Sequence, residues 1–211
     1  GRDSSGVRGI RLAPGDEVVS LSVLTHVAAN VEERAAYLRL TAARRRAAGE
    51  DDATETTPAE TDDESSGEAV PDVTLDEDRI AALQLQEELL LAVTAGGFGK
   101  RSSAYEYRVA GRGGQGIANI TLGKRNGGAV AATFPVRPGD DVMLVTDAGR
   151  LIRVPADQVR ITGRQAMGVT LFRVNPGEHV ISVFPVLEQA DAETGEPDGT
   201  PPDEAGEPTD G

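Results

Sequence analysis

The chain has 211 residues, a formal net charge of −14, no Cys, no Trp, three Tyr and four Phe, which excludes disulfide and thiol chemistry. No apolar run approaches the roughly 18 residues a membrane span needs, and no charged-then-apolar signal pattern opens the chain. The charge is segregated: 50–78 holds thirteen Asp/Glu and 188–211 nine, neither with any Lys/Arg, so the remainder carries 13 acidic against 21 basic residues, about +8, a balance that suits a polyanionic partner.

Residues 1–24 open on Gly1-Arg2 and pass through Gly6-Val7-Arg8-Gly9-Ile10. With no initiator Met at the start, the chain reads as part of a longer one. Pro14-Gly15-Asp16 is a turn signal, and Glu17–Leu24 is β-branched and partly alternating, which predicts a strand. An insertion of about 58 residues occupies roughly 25–83. In it, 31–48 predicts a helix, Ala-rich, with Glu32 and Glu33 early, Arg44-Arg45-Arg46 late and Gly49 as its stop. Residues 50–72 are acidic and nearly free of large apolar side chains, so disorder is predicted. Thr74-Leu75-Asp76-Glu77 has capping-box spacing and predicts a second helix over about 74–88. The insertion reads as a surface excursion, since loops tolerate such lengths at small entropic cost.

Two repeats follow, at 84–136 and 137–187. The Gly111-Arg112 motif recurs as Gly163-Arg164, 52 residues on, and Thr94, Gly97, Arg101 and Gly116 map without a gap to Thr146, Gly149, Arg153 and Gly168. Each repeat predicts a first strand (Leu89–Thr94; Asp141–Thr146) and a Gly turn. A short strand ending in a basic residue follows (Lys100-Arg101; Arg153). Then come a third strand (Tyr105–Val109; Asp157–Ile161), the Gly-Arg turn, a fourth strand (Gly116–Leu122; Gly168–Val174) and a closing strand (Ala129–Val136; His179–Val186). A fixed period near 50 residues with about four short strands per period predicts an all-β, propeller-like set of four-stranded antiparallel blades, a partial ring. Residues 188–211 predict a disordered acidic tail.

Catalytic chemistry finds little support. Gly111 to Gly116 satisfies Gly-x-Gly-x-x-Gly, but a dinucleotide turn needs a helix after it, and 117–122 is β-type. His26 and His179 lie far apart without repeated partners, paired carboxylates fall in the segments expected to be disordered, and no calcium-loop spacing occurs. No catalytic or metal-ligating residue is assigned. What recurs is Arg or Lys beside Gly. Arg2, Arg112 and Arg164 hold equivalent places, as do Arg101 and Arg153. Lys100, Lys124 and Arg125 extend the set, and Gly113 and Gly114 expose backbone N–H groups. Such turns can clamp phosphates and, once per blade, would line a rim for a bent duplex held through its backbone. Ordinary solvated strand charge, with Gly serving the turns, is the competing reading.

Gly6-Val7-Arg8-Gly9-Ile10-Arg11-Leu12, Asp16–Leu21, Gly97-Phe98-Gly99-Lys100-Arg101, Tyr105-Glu106-Tyr107, Met143–Gly149 and Gly163-Arg164 with Gly168-Val169 together resemble the C-terminal region of the DNA gyrase A family. The resemblance covers 1–24 and 84–187. It implies a β-pinwheel whose basic perimeter wraps double-stranded DNA in an A2B2 bacterial enzyme that supercoils DNA in the cytoplasm. ATP and Mg would act in parts outside this chain, so no cofactor is expected here, and no membrane. The family's box, Gln-Arg-Arg-Gly-Gly-Lys-Gly, is absent. Arg112-Gly113-Gly114-Gln115-Gly116 resembles a degenerate copy with Gln115 in the Lys place. Tyr37, Tyr105 and Tyr107 do not match the context of the family's catalytic tyrosine, so the chain is expected to be non-catalytic. The alternatives are the equivalent domain of topoisomerase IV, or a propeller that binds protein or a small ligand.

Overall fold

The computed structural model describes residues 1–49 and 73–186. The acidic run at 50–72 and the tail from 188, both expected to be disordered, lie outside the described residues. Helix α1 (Val31–Ala47) starts where Asn30 and Glu33 cap each other, Glu33 N–H to Asn30 Oδ1 at 2.7 Å and Asn30 N–H to Glu33 Oε2 at 3.0 Å, so two otherwise orphaned donors are satisfied. Helix α2 (Glu77–Gln86) begins later than the sequence suggests. Its cap is Asp76, which accepts from Arg79 N–H at 2.7 Å, and not Thr74.

Ten residues are too few for a stable isolated helix, and α2 is held by packing. Ile80 and Leu83 bury with Tyr37 of α1 and Tyr105 of the first repeat. The two rings meet edge to face at 5.5 Å and 83°. Tyr37 Oη donates to Glu87 at 2.8 Å and Tyr105 Oη to the Leu83 carbonyl at 2.8 Å. Arg79 ties α2 to Glu33 at 2.8 Å and to the Ala28 carbonyl at 2.7 Å. The described part of the insertion is therefore a pair of helices seated on Tyr105 of the first repeat.

The strands are β1 (Leu89–Thr94), β2 (Phe98–Ser103), β3 (Val130–Val136), β4 (Asp141–Thr146), β5 (Leu151–Pro155), β6 (Val169–Thr170) and β7 (Val180–Val186). They form a four-stranded sheet in the order β3-β1-β2-β6 and a three-stranded sheet in the order β5-β4-β7, with every pairing antiparallel. The repeat holds at the level of register. Leu89 pairs with Val136 as Asp141 pairs with Val186, and the ladder slips at the same place in both, Val93/Thr94 and Val145/Thr146. Leu91, Val93, Ala132 and Val136 of the first sheet meet Val142, Leu144, Val180 and Val183 of the second in one core. Burying such branched side chains supplies the main drive for this packing.

Three expectations are corrected. Glu17–Leu24 is not a strand. Its contact with the edge of β3 is a side-chain bond, Ser20 Oγ to the Thr133 carbonyl at 2.9 Å, and Leu21 and Val23 stay exposed; without a ladder, alternation alone does not make a strand. The predicted third strands begin instead as single 3-10 turns, Ala104–Glu106 and Ala156–Gln158, closed by Tyr107 N–H to Ala104 O at 3.1 Å and Val159 N–H to Ala156 O at 2.9 Å. Of the fourth strands, 116–122 joins no sheet, and the second shrinks to β6.

That short strand decides how the repeats join. β6 belongs to the second repeat in sequence but pairs with β2 of the first, Phe98 with Thr170 and Gly99 with Val169, so a boundary at 136/137 cuts through a sheet. The Gly97 carbonyl accepts from Leu171 N–H at 2.9 Å and Phe172 N–H at 3.0 Å. Gly168 turns at φ 83° directly over Gly99, and a Cβ there would lie 2.6 Å from the Gly99 oxygen. Only glycine fits that approach.

Candidate nucleic-acid interface

The basic residues singled out in the sequence divide into two groups. Lys100, Arg101 and Arg164 are internal, at 0 %, 8 % and 4 % exposure, which corrects the expectation that they line the rim. Lys100 Nζ donates to the Gly163 carbonyl at 2.8 Å and also to the Arg164 carbonyl. Burial pulls its pKa down to about 7, with Glu106 opposing and Arg164 assisting. Burial pushes the Glu106 carboxyl up, opposed by the backbone N–H of Arg164 and by the charges of Lys100, Arg164 and Arg45; that N–H lies 2.5 Å from Glu106 Oε2. The Arg164 guanidinium donates to the Ala118 carbonyl.

Arg101 pairs with Asp157 at 2.9 Å and donates to the Val159 carbonyl at 2.7 Å. Its backbone exchanges bonds with the second repeat, Arg101 N–H to Arg160 O at 2.9 Å and Thr162 N–H to Arg101 O at 2.8 Å. The repeat counterpart Arg153 lies on β5, an edge strand among the described residues, and pairs instead with Asp141 at 2.5 Å with half its side chain exposed. Equivalent positions therefore differ because one sheet edge is covered by the next repeat and, among the described residues, the other is not. The sequence held one signal of this: the counterpart of Lys100 is Ile152, a core-packed residue.

The second group faces solvent. Arg2, Arg112, Lys124 and Arg125 are exposed, as is Gly114, while Gly113 is half-buried. Gly113 N–H donates to the Gly9 carbonyl and Arg11 N–H to the Gly114 carbonyl, both at 2.8 Å. These bonds lay 9–11 beside 113–114. No helix follows Gly116, so the glycine pattern is a loop and not a dinucleotide turn. Lys124 and Arg125 ride on a 3-10 turn shaped by buried Asn126, which accepts from Gly123 N–H at 2.9 Å and donates to Thr121 O at 2.8 Å. The Arg125 guanidinium lies 5.7 Å from the Phe98 ring centre.

Sequence reasoning missed the order this imposes at one end of the sheets. Arg150 stacks 4.4 Å from the Phe172 ring centre, pairs with Glu178 at 2.7 Å and donates to the Arg173 carbonyl at 3.3 Å. Phe98 follows Gly97 in the chain, and the Phe172 N–H donates to the Gly97 carbonyl at 3.0 Å, so both rings belong to the Gly97 turn. From 107 to 139 the chain holds five basic residues and no Asp or Glu. All five, Arg108, Arg112, Lys124, Arg125 and Arg137, are exposed. Among the described residues no cluster of His, Asp or Glu is placed to hold a metal ion, and no helix is long and apolar enough to cross a membrane.

The family described as the DNA gyrase C-terminal domain, beta-propeller, matches residues 1–25, 88–137 and 140–187. The chain belongs to this family. The matched segments skip the helix pair, as the repeat period does. The A subunit of DNA gyrase from Granulibacter bethesdensis is 71% identical over 189 residues, covering 89% of this chain and 20% of that protein. The same protein of Rickettsia bellii is 43% identical over 192 residues, 90% of this chain and 20% of that one. The chain thus spans about a fifth of the length of these gyrase relatives. A solved DNA gyrase A C-terminal domain aligns at 24% identity and a TM-score of 0.45, covering 48% of this chain and 34% of that one.

Proposed function

We propose that this chain is a non-catalytic double-stranded DNA-binding and wrapping part of a DNA gyrase A polypeptide. It works in the bacterial cytoplasm with the remainder of that polypeptide and with the gyrase B protein, in an A2B2 enzyme. ATP and Mg would serve regions outside the chain. The observation that carries the reading is the run 107–139, which exposes five cations and has no carboxylate to compete with phosphate. The contacts are assigned to Arg2, Arg112, Lys124 and Arg125, with the backbone N–H of Gly114 beside them. Arg153 contributes once phosphate exchanges with Asp141, since an exposed ion pair of this kind is worth under about 1 kcal/mol. Lys100, Arg101 and Arg164 take no direct part; they hold the joint between repeats.

Binding of this kind follows the phosphate backbone and carries little sequence preference. Titration of a labelled duplex at several salt concentrations tests it. The five contacts assigned within the repeats contribute roughly −4 to −5 to the log–log salt slope. Absence of binding at low salt, or a flat slope, refutes the proposal.

A further inference from the structure

The helix pair α1/α2 lies outside the matched family segments, yet it sits against a Gly-Arg turn. Tyr37 of α1 packs on Tyr105, and the next residue, Glu106, accepts from Arg164 N–H at 2.5 Å. The last Gly-Arg turn, 163–164, is thereby bound to the segment that carries α1. Its own guanidinium is internal, at 4 % exposure, whereas that of Arg112, the equivalent residue one repeat earlier, is exposed. At this one turn the cation that would face a ligand has been withdrawn.

α1 carries cations about two turns beyond that contact. Its last turn carries Arg44, Arg45 and Arg46, about 12 Å along the helix from Tyr37 at 1.5 Å per residue. Arg45 is close enough to Glu106 for its charge to act on that carboxyl. Arg39 and Arg46, seven residues apart and both exposed, share one face of α1, where Arg39 lines the groove toward 73–80. Among the described residues Arg44 pairs with Glu77 at 3.5 Å, and both side chains are more than half exposed, a pair weak enough to yield to phosphate. The negative end of the helix dipole offsets only about half a charge of the three.

We infer that the Arg44–Arg46 end of α1 is a phosphate-binding patch that stands in for the internal Arg164 on the path of the duplex. This rests on the duplex-binding reading above and adds to it a surface outside the repeats. The ligand is the nucleic-acid backbone, held without base readout.

The test compares the 211-residue chain with two variants, R44Q/R45Q/R46Q and R44K/R45K/R46K, in duplex titrations from about 50 to 200 mM salt, with far-UV circular dichroism confirming that the helices persist. The Gln variant loses two to three contacts, so its salt slope is shallower by about 2, and its loss of affinity across that salt range shrinks about tenfold. The Lys variant keeps the parent slope. Equal slopes in the parent and the Gln variant overturn the patch. Loss of slope in both variants also overturns it, because charge would then not be the agent. A parent chain without salt-dependent binding refutes the underlying duplex reading, and the patch falls with it.

Discussion

The joint between the repeats can be tested with one pair of substitutions. Gly97 and Gly149 occupy the same turn 52 residues apart, both at φ 76°, and each donates its N–H to a threonine carbonyl at 3.0 Å, Thr94 or Thr146. Their surroundings differ. A Cβ on Gly97 would sit 2.0 Å from the Phe172 carbonyl oxygen, whereas a Cβ on Gly149 meets nothing within 4 Å. Gly149→Ala therefore carries only the left-handed backbone penalty, about 1–2 kcal/mol. Gly97→Ala carries the same penalty and must also push Phe172 away. That breaks the bonds from Leu171 N–H and Phe172 N–H to the Gly97 carbonyl, a further loss of about 1 kcal/mol each. The expected totals are about 3–4 kcal/mol for Gly97→Ala and about 1–2 for Gly149→Ala. With a urea m-value near 2 kcal/mol/M, the two midpoints should differ by about 1 M. Amide exchange should also quicken at Val169, Leu171 and Phe172 in Gly97→Ala alone. Equal midpoints, or unchanged exchange at 169–172, would show that β6 does not bind the second repeat to the first.

Two further outcomes follow from the internal charges. Lys100 has its pKa depressed to about 7 against an ordinary 10.5, so between those values the unfolded chain binds more protons; stability should rise with pH across that window, by up to about 1.4 kcal/mol per pH unit, and the rise should flatten in Lys100→Met, as urea midpoints across that window would show. Asp157→Ala leaves internal Arg101 without its carboxylate and Gly139 N–H without an acceptor 2.8 Å away, for a loss of about 2 kcal/mol, whereas Asp141→Ala removes one ion pair from the half-exposed Arg153 at under about 1 kcal/mol; equal losses in thermal unfolding would contradict the division of these arginines into internal and surface groups.

The chain by itself determined everything that local interactions set. The helix over 31–48 with its early carboxylates and late arginines, the runs Leu89–Thr94 and Asp141–Thr146, the 52-residue period and the all-β class rest on contacts within a few residues or on a pattern copied between repeats. The failures share one physical cause. Glu17–Leu24 and 116–122 have strand-like composition, but a strand exists only where an edge receives it, and the edge of β2 took β6 instead. Asp76 displaced Thr74 as a cap because α2 takes its place from packing against Tyr37 and Arg79's bond to Glu33, not from its own propensity.

The arginines divide on the same ground. Arg112 and Arg164 are equivalent in sequence, as are Arg101 and Arg153, and apart from the change of Lys100 to Ile152 beside the second pair nothing within a few residues of them says which lies inside. Tertiary structure decided it: residues 157–164 of one repeat close over β2 of the repeat before, while no described strand closes over the outer edge of β5. A guanidinium under such a cover must find carbonyls or a carboxylate, because burying a charge without partners is prohibitive; one beyond the cover remains available to a ligand.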